Sequence, residues 1–155
     1  MLRAKRDKRP KIALGKRKKR TGRKIEIAVD YEALAEFRFQ LRRFLSFSEA
    51  NARKNGLTSQ QYQALLTIKG MSLPHHRMSV GELADLLLVK PHTALGLIDR
   101  MTKIGLLKRF RDSEDARRML VTLTRKGEQR LSNVAKVNWS ELRSWRHSLP
   151  RILKS

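Results

Sequence analysis

The residues best suited to chemistry cluster around Pro91 and in the stretch Arg109–Arg118, and what they suit is gripping a polyanion rather than making or breaking bonds. Lys90, His92, Thr93, Leu95, Gly96, Asp99, Arg100 and Lys103 fall on the outer side of one helix. His92 and Thr93 can hydrogen-bond to base edges or phosphates, and Leu95 can meet a thymine methyl. Gly96 either lets a backbone approach DNA closely or is a neutral, mildly helix-weakening residue. Lys90 occupies an N-cap position, where a side-chain acceptor would contribute about 1 kcal/mol, and its charge opposes the helix dipole. A phosphate lying across this helix end would reverse both penalties; the alternative is a tolerated surface lysine. In the second stretch, Arg109, Arg111 and Arg118 offer phosphate-reaching charge. Asp115 and Arg117, two apart across a tight loop, can form a pair aimed at the minor groove. Asp112, Glu114 and Asp115 repel phosphate unless they are paired, so a purely structural hairpin tip is the competing reading.

Catalytic patterns are missing. There is no Ser-His-Asp spacing, paired-carboxylate pocket or glycine-rich phosphate loop, which argues against an enzyme. His75-His76 and His147 do not form a convergent metal-ligand set, and the sequence contains no cysteine. Disulfides, thiolate metal sites and thiol catalysis are thereby excluded, and no metal or cofactor is expected.

The elements that must position these residues are legible from their caps and periods. Leu34, Phe37, Leu41, Phe44, Leu45 and Ser48 recur at three- and four-residue spacings, predicting a first helix of about 24 residues between the cap Asp30 and the stop Asn55-Gly56. Thr58-Ser59-Gln60-Gln61 is a capping box with Leu57 and Tyr62 as its staple. Its helix runs to Lys69 and is expected to stop at Gly70, before a loop containing Pro74. Ser79-Val80-Gly81-Glu82 is a second capping box, with Met78 and Leu83 as staple, and its short helix turns Leu83, Ala84, Leu86 and Leu87 inward. After a tight turn at Leu88-Val89-Lys90, Pro91 opens a helix that buries Ala94, Leu97, Ile98, Met101 and Ile104 and ends at Gly105. This is a helix-turn-helix pattern. The period then changes to two: Leu106–Arg111 and Arg118–Leu123 flank a polar loop and form a hairpin, hence a wing. Thr124 caps a last helix carrying Leu131, Val134, Ala135, Val137, Trp139, Leu142 and Trp145, which Pro150 ends or kinks.

Charge supports the same reading. The 155 residues include 36 Lys and Arg against 14 Asp and Glu, a net +22, and such an excess is costly unless a polyanion is the working partner. Residues 1–24 hold 13 basic residues and one acidic residue, +12, and the remainder still carries +10. With so few large apolar side chains, 1–24 reads as a disordered basic arm, either a solubilising tail or a contributor to non-specific DNA affinity. Its run Gly15-Lys16-Arg17-Lys18-Lys19-Arg20 also has the composition of a nuclear localisation signal, a weak pattern. No apolar run reaches the roughly 18 residues needed to cross a bilayer, and no apolar segment follows the charged start as in a signal peptide. The expectation is a cytoplasmic, nucleoid-associated protein that needs no membrane.

Taken in order and spacing, several segments resemble the MarR family of winged-helix regulators. They are Phe37–Leu45, Leu57-Thr58-Ser59-Gln60-Gln61, Val80-Gly81-Glu82-Leu83-Ala84, Gly96–Met101, Gly105-Leu106-Leu107, the wing Asp112–Arg118, and Leu123-Thr124-Arg125-Lys126-Gly127. The similarity spans roughly Tyr31 to Leu142. It implies a homodimer held by the first and last helices, a palindromic operator, and often release by a small lipophilic or anionic effector. Arg117 matches the wing arginine that enters the minor groove, and Asp115 its orienting partner. The sequence departs from the family in a short stretch after Trp145, in Ala116 where a further basic wing residue is usual, and in the basic arm.

The expected fold is therefore mainly α with a small β-hairpin wing, a winged helix-turn-helix with long terminal dimerisation helices. Residues 1–24 form the arm and 25–155 the regulator domain, within which 57–123 bind DNA and 30–55 and 124–149 dimerise. Phe37, Leu41, Phe44, Trp139, Leu142 and Trp145 present more apolar surface than a small winged domain can bury alone, unless both helices simply wrap the core. Sequence-specific recognition of double-stranded DNA, as a transcription regulator, is the primary expectation. The alternatives are non-specific nucleic-acid binding (nucleoid-associated or RNA-binding) and a protein–protein adaptor.

Overall fold

The structure, a computed structural model, describes residues 29–72, 77–115 and 117–145. The basic arm, Pro74, His75, His76, Ala116, His147 and Pro150 lie outside the described residues. Among the described residues, five helices and one hairpin follow in the order α1 (Tyr31–Lys54), α2 (Ser59–Met71), α3 (Val80–Leu86), α4 (Pro91–Lys103), β1 (Leu107–Arg111), β2 (Met119–Leu123) and α5 (Arg125–Ser144). The winged helix-turn-helix is thus formed.

Local chemistry sets most of the boundaries. Asp30 accepts from the Ala33 N–H at 2.8 Å to start α1. Both capping boxes close reciprocally, Thr58 with Gln61 and Ser79 with Glu82. Thr124 accepts from the Gly127 N–H at 3.0 Å to start α5. Gly70, expected to end α2, stays within it: the helix runs to Met71, and the Ser72 N–H still reaches the Ile68 carbonyl. A glycine stops a helix only where the chain turns into the left-handed region, as Gly56 and Gly105 do with φ of 71° and 73°.

The core sits where α2, α3, α4, the hairpin and α5 converge. Leu65, Leu83, Ile98, Met101, Leu107, Val121 and Val134 are its largest fully buried side chains. The antiparallel register pairs Leu107 with Leu123 and Arg111 with Met119. A short third segment extends the sheet, because Ser79 bridges Leu120 and the Val121 N–H reaches the Met78 carbonyl at 2.9 Å. The residues leading into α3 therefore anchor the wing. Two expected core positions are exposed: Leu86, at 46%, and Ile104. Both lie at the last turn of a helix, where the chain leaves the core and helical period no longer decides burial. Only the C-terminal part of α1 is buried, at Ser48, Asn51 and Ala52.

Candidate nucleic-acid interface

The inner face of α4 is fixed by Ala94, Leu97, Ile98 and Met101, all buried. Lys90, His92, Thr93, Leu95, Arg100 and Lys103 are consequently exposed, with Gly96 and Asp99 half-buried between them. No side chain caps the N-terminus of α4, and Pro91 fills its first turn. The Lys90 carbonyl accepts from the Thr93 and Ala94 N–H groups at 2.9 and 3.1 Å, so Lys90 begins the helix through its backbone and leaves its ammonium to solvent. A Cβ on Gly96 would meet only the Arg100 guanidinium, at 3.5 Å. Packing therefore places no demand for glycine there.

The four wing arginines divide into two kinds. Arg109 is ion-paired with Asp99 of α4, and Arg118 lies 3.6 Å from Glu82 and 3.7 Å from Asp112. These two cations tie the hairpin to α4 and to the start of α3. Arg111 and Arg117 are exposed. Two acidic residues of the tip are engaged within it: Asp112 accepts from the Glu114 N–H at 3.0 Å, and Asp115 from the Arg117 N–H at 3.0 Å, while Glu114 is exposed. Asp115 thus orients Arg117 through the backbone, where a pairing with its guanidinium was expected. A two-residue separation lets the carboxylate close an Asx-type turn on the N–H two positions on. The Arg118 N–H to Asp115 carbonyl bond, 2.9 Å, tightens the same turn.

Three contacts here were not anticipated. The Arg77 guanidinium stacks over the Phe110 ring at 5.1 Å, placing another cation against the wing. Lys126 of α5 donates to the Ile104 carbonyl at the end of α4, at 2.8 Å, where a cation complements the helix dipole. A Cβ on Gly127 would lie 2.1 Å from the Leu106 carbonyl oxygen, so α5 can rest on the root of the wing only with glycine at that position. Lys126 and Gly127 were visible in the sequence only as part of a motif; their roles depend on a contact about twenty residues away.

The exposed face of α1 and α5 has another character. Phe37 is 42% exposed and Trp139 61%, and Leu41, Leu45, Val137 and Leu142 are exposed beside them. Phe44 is half-buried and meets Trp145 edge-on, 5.4 Å between ring centroids. Trp145, expected outside with Trp139, is only 8% exposed, because Phe44 covers it and Arg43 lies over its ring at 6.0 Å. Beneath this face lies a buried polar clasp. Asn51 donates to the Val134 carbonyl at 3.1 Å and to Asn138 Oδ1 at 2.9 Å, and Asn138 donates to Ser48 Oγ at 2.7 Å. Its sequence signal was three polar residues on otherwise apolar helix faces. Burial raises the pKa of Tyr62, a shift partly offset by its hydrogen bond with Asn138.

Among the described residues no group of three His, Cys, Asp or Glu side chains converges as a metal site. Nor is any described helix long and apolar enough to cross a membrane.

The MarR family model matches residues 55–118 of this chain, the stretch from the end of α1 to the wing. The transcriptional activatory protein BadR of Rhodopseudomonas palustris is 39% identical over 72 residues, which cover 46% of this chain and 41% of that protein. The matched stretch is thus less than half of either protein. AbsC, a MarR family transcriptional regulator from Streptomyces coelicolor, superposes with a TM-score of 0.62 at 22% identity, over 79% of this chain and 83% of the other. A mutant of S. aureus MepR bound to an oligodeoxyribonucleotide superposes with a TM-score of 0.60 at 18% identity, over 78% and 84% of the two chains.

Proposed function

We propose that this chain, whose residues 55–118 match the MarR family model, works as a dimeric transcription regulator that binds a palindromic operator in double-stranded DNA. The observation that carries this reading is the arrangement of α4 and the wing. A helix with Lys90, His92, Thr93 and Arg100 on its exposed side stands next to a hairpin that projects Arg111 and Arg117, and Asp112 and Asp115 of the tip are occupied locally. The α4 residues would enter the major groove and Arg117 the adjacent minor groove. The exposed apolar side of α1 and α5 would pair with a second copy, because one recognition helix reads too few base pairs for useful specificity. In this division of labour 57–123 bind DNA, α1 and α5 dimerise, and the arm adds salt-sensitive affinity. The chemistry is recognition, not catalysis.

The test is selection from a pool of genomic fragments, in salt high enough to suppress association through the arm. The full chain, a form starting at Ile25 and Arg117→Ala are compared. Enrichment of an inverted repeat that survives the truncation and weakens with Arg117→Ala supports the regulator. If no sequence is enriched and affinity collapses with the arm or with salt, the protein is a general polyanion binder, the reading that its +22 charge favours.

A further inference from the structure

Leu88 lies in the turn between α3 and α4 and is, among the described residues, the single non-glycine with a positive φ, 55°. Its N–H donates to the Asp85 carbonyl at 3.1 Å, and the next N–H, from Val89, to the Ala84 carbonyl at 3.0 Å. This is a helix-ending turn in which glycine is the relaxed choice, since a Cβ crowds the backbone in the left-handed region. The leucine side chain is also 92% exposed, so it adds nothing to the core and shows an apolar surface to water. For the isolated chain both features are unfavourable, and glycine would remove both. A contact outside the chain would reverse that balance.

The position of Leu88 identifies the contacting surface. It lies two residues before Lys90, so their Cα atoms are at most about 7 Å apart. Leu88 therefore stands at the entrance of α4, beside the residues that would face the groove. Building on the function proposed above, we infer that Leu88 is a further DNA-contact residue. Its side chain presses on an apolar element of the groove wall, either a thymine methyl or the carbons of a deoxyribose.

The test uses the full-length protein and the inverted repeat recovered from the fragment pool, with Leu88→Gly, Leu88→Asn and Leu88→Met. Glycine and asparagine both accept the left-handed turn, while methionine keeps an apolar side chain of similar volume. Neither Leu88→Gly nor Leu88→Asn should melt below the parent. Both should bind the repeat about tenfold more weakly, as expected for one lost apolar contact, while Leu88→Met stays within about twofold. The slope of affinity against salt should not change, because no phosphate contact is removed. Replacing thymines of the repeat with deoxyuracil separates the two surfaces. A methyl partner makes the parent more sensitive to that replacement than Leu88→Gly, whereas a deoxyribose partner makes the two proteins respond alike. Parent-like binding by Leu88→Gly and Leu88→Asn overturns the inference, as does a lowered melting temperature, which would assign the side chain to the fold. A parent that selects no sequence overturns the regulator reading instead, and Leu88's role with it.

Discussion

Two surfaces of this molecule, that of α4 and the wing and that of α1 and α5, expose different kinds of side chain. Along α4 and the wing the exposed residues are mostly polar or charged, with Leu88 and Leu95 exposed among them. Two of the wing arginines, Arg109 and Arg118, are held by Asp99, Glu82 and Asp112 and give the hairpin a fixed attitude. On the side of α1 and α5 a row of large apolar residues, with Phe37, Leu41 and Trp139 among them, faces outward. Exposed cations are well solvated and can exchange water for phosphate at little cost. Exposed aromatic and leucine side chains gain only when another apolar surface covers them. On the function proposed above, the contrast assigns one surface to a polyanion and the other to a second copy.

The largest expected effect lies at the joint between the two sides. Gly127→Ala forces a Cβ against the Leu106 carbonyl, 2.1 Å away, and should cost about 3 kcal/mol of stability in denaturant melts, at the upper end of overpacking penalties. Gly96→Ala is the control, since its Cβ finds ordinary space. It should be neutral or stabilising by about 0.5–1 kcal/mol, and if it nevertheless weakens DNA binding, close backbone approach is the reason for that glycine.

Breaking the apolar side comes next. Phe37→Glu combined with Leu41→Glu should give monomers in sedimentation analysis and lower operator affinity about a hundredfold by uncoupling the half-sites. A double variant that stays dimeric would assign that row another purpose. Within the wing, Arg117→Ala should weaken operator binding by about 1–3 kcal/mol without altering the melt. Arg109→Ala should cost less than about 1 kcal/mol in stability, the range of an exposed ion pair, and loosen the wing. Equal binding losses from the two arginine variants would erase the division between pointing and tying residues. The smallest effect concerns Tyr62, whose folded-state pKa lies above the ordinary value of 10.0 because of burial. Its contribution is fully present below that ordinary value. It is lost as pH rises through the window between the unfolded and folded values, because the unfolded chain ionises first. Tyr62→Phe should flatten the alkaline end of the stability profile in melts above about pH 10.

Features that close within a few residues were legible in the sequence. The capping boxes of Thr58 and Ser79 and the cap of Thr124 involve partners three residues away, so spacing alone reveals them. The helix-turn-helix, the change of period at Gly105 and the outward row of α4 were legible for the same reason, because a helical face is set by 3.6-residue geometry. The exposed residues of α4 could therefore be named in advance. Gly70 was misread because a glycine signals a stop only where the chain reverses.

What the sequence by itself determined is the order of elements, the strongly basic balance and which residues share a face. What only the tertiary structure decided is which faces are covered and which charges are already engaged. The sequence grouped Trp139 with Trp145, yet Phe44 of α1 covers the second, while the first is exposed. Arg109 and Arg117 look alike in the sequence, yet Asp99 holds one and the Asp115 turn presents the other. Leu88 reads as an ordinary turn leucine until its backbone is seen in the left-handed region. The physical reason is common to all three. Burial and ion pairing depend on groups that are distant along the chain and meet only when the helices pack, whereas propensity and capping depend on neighbours that every sequence already displays.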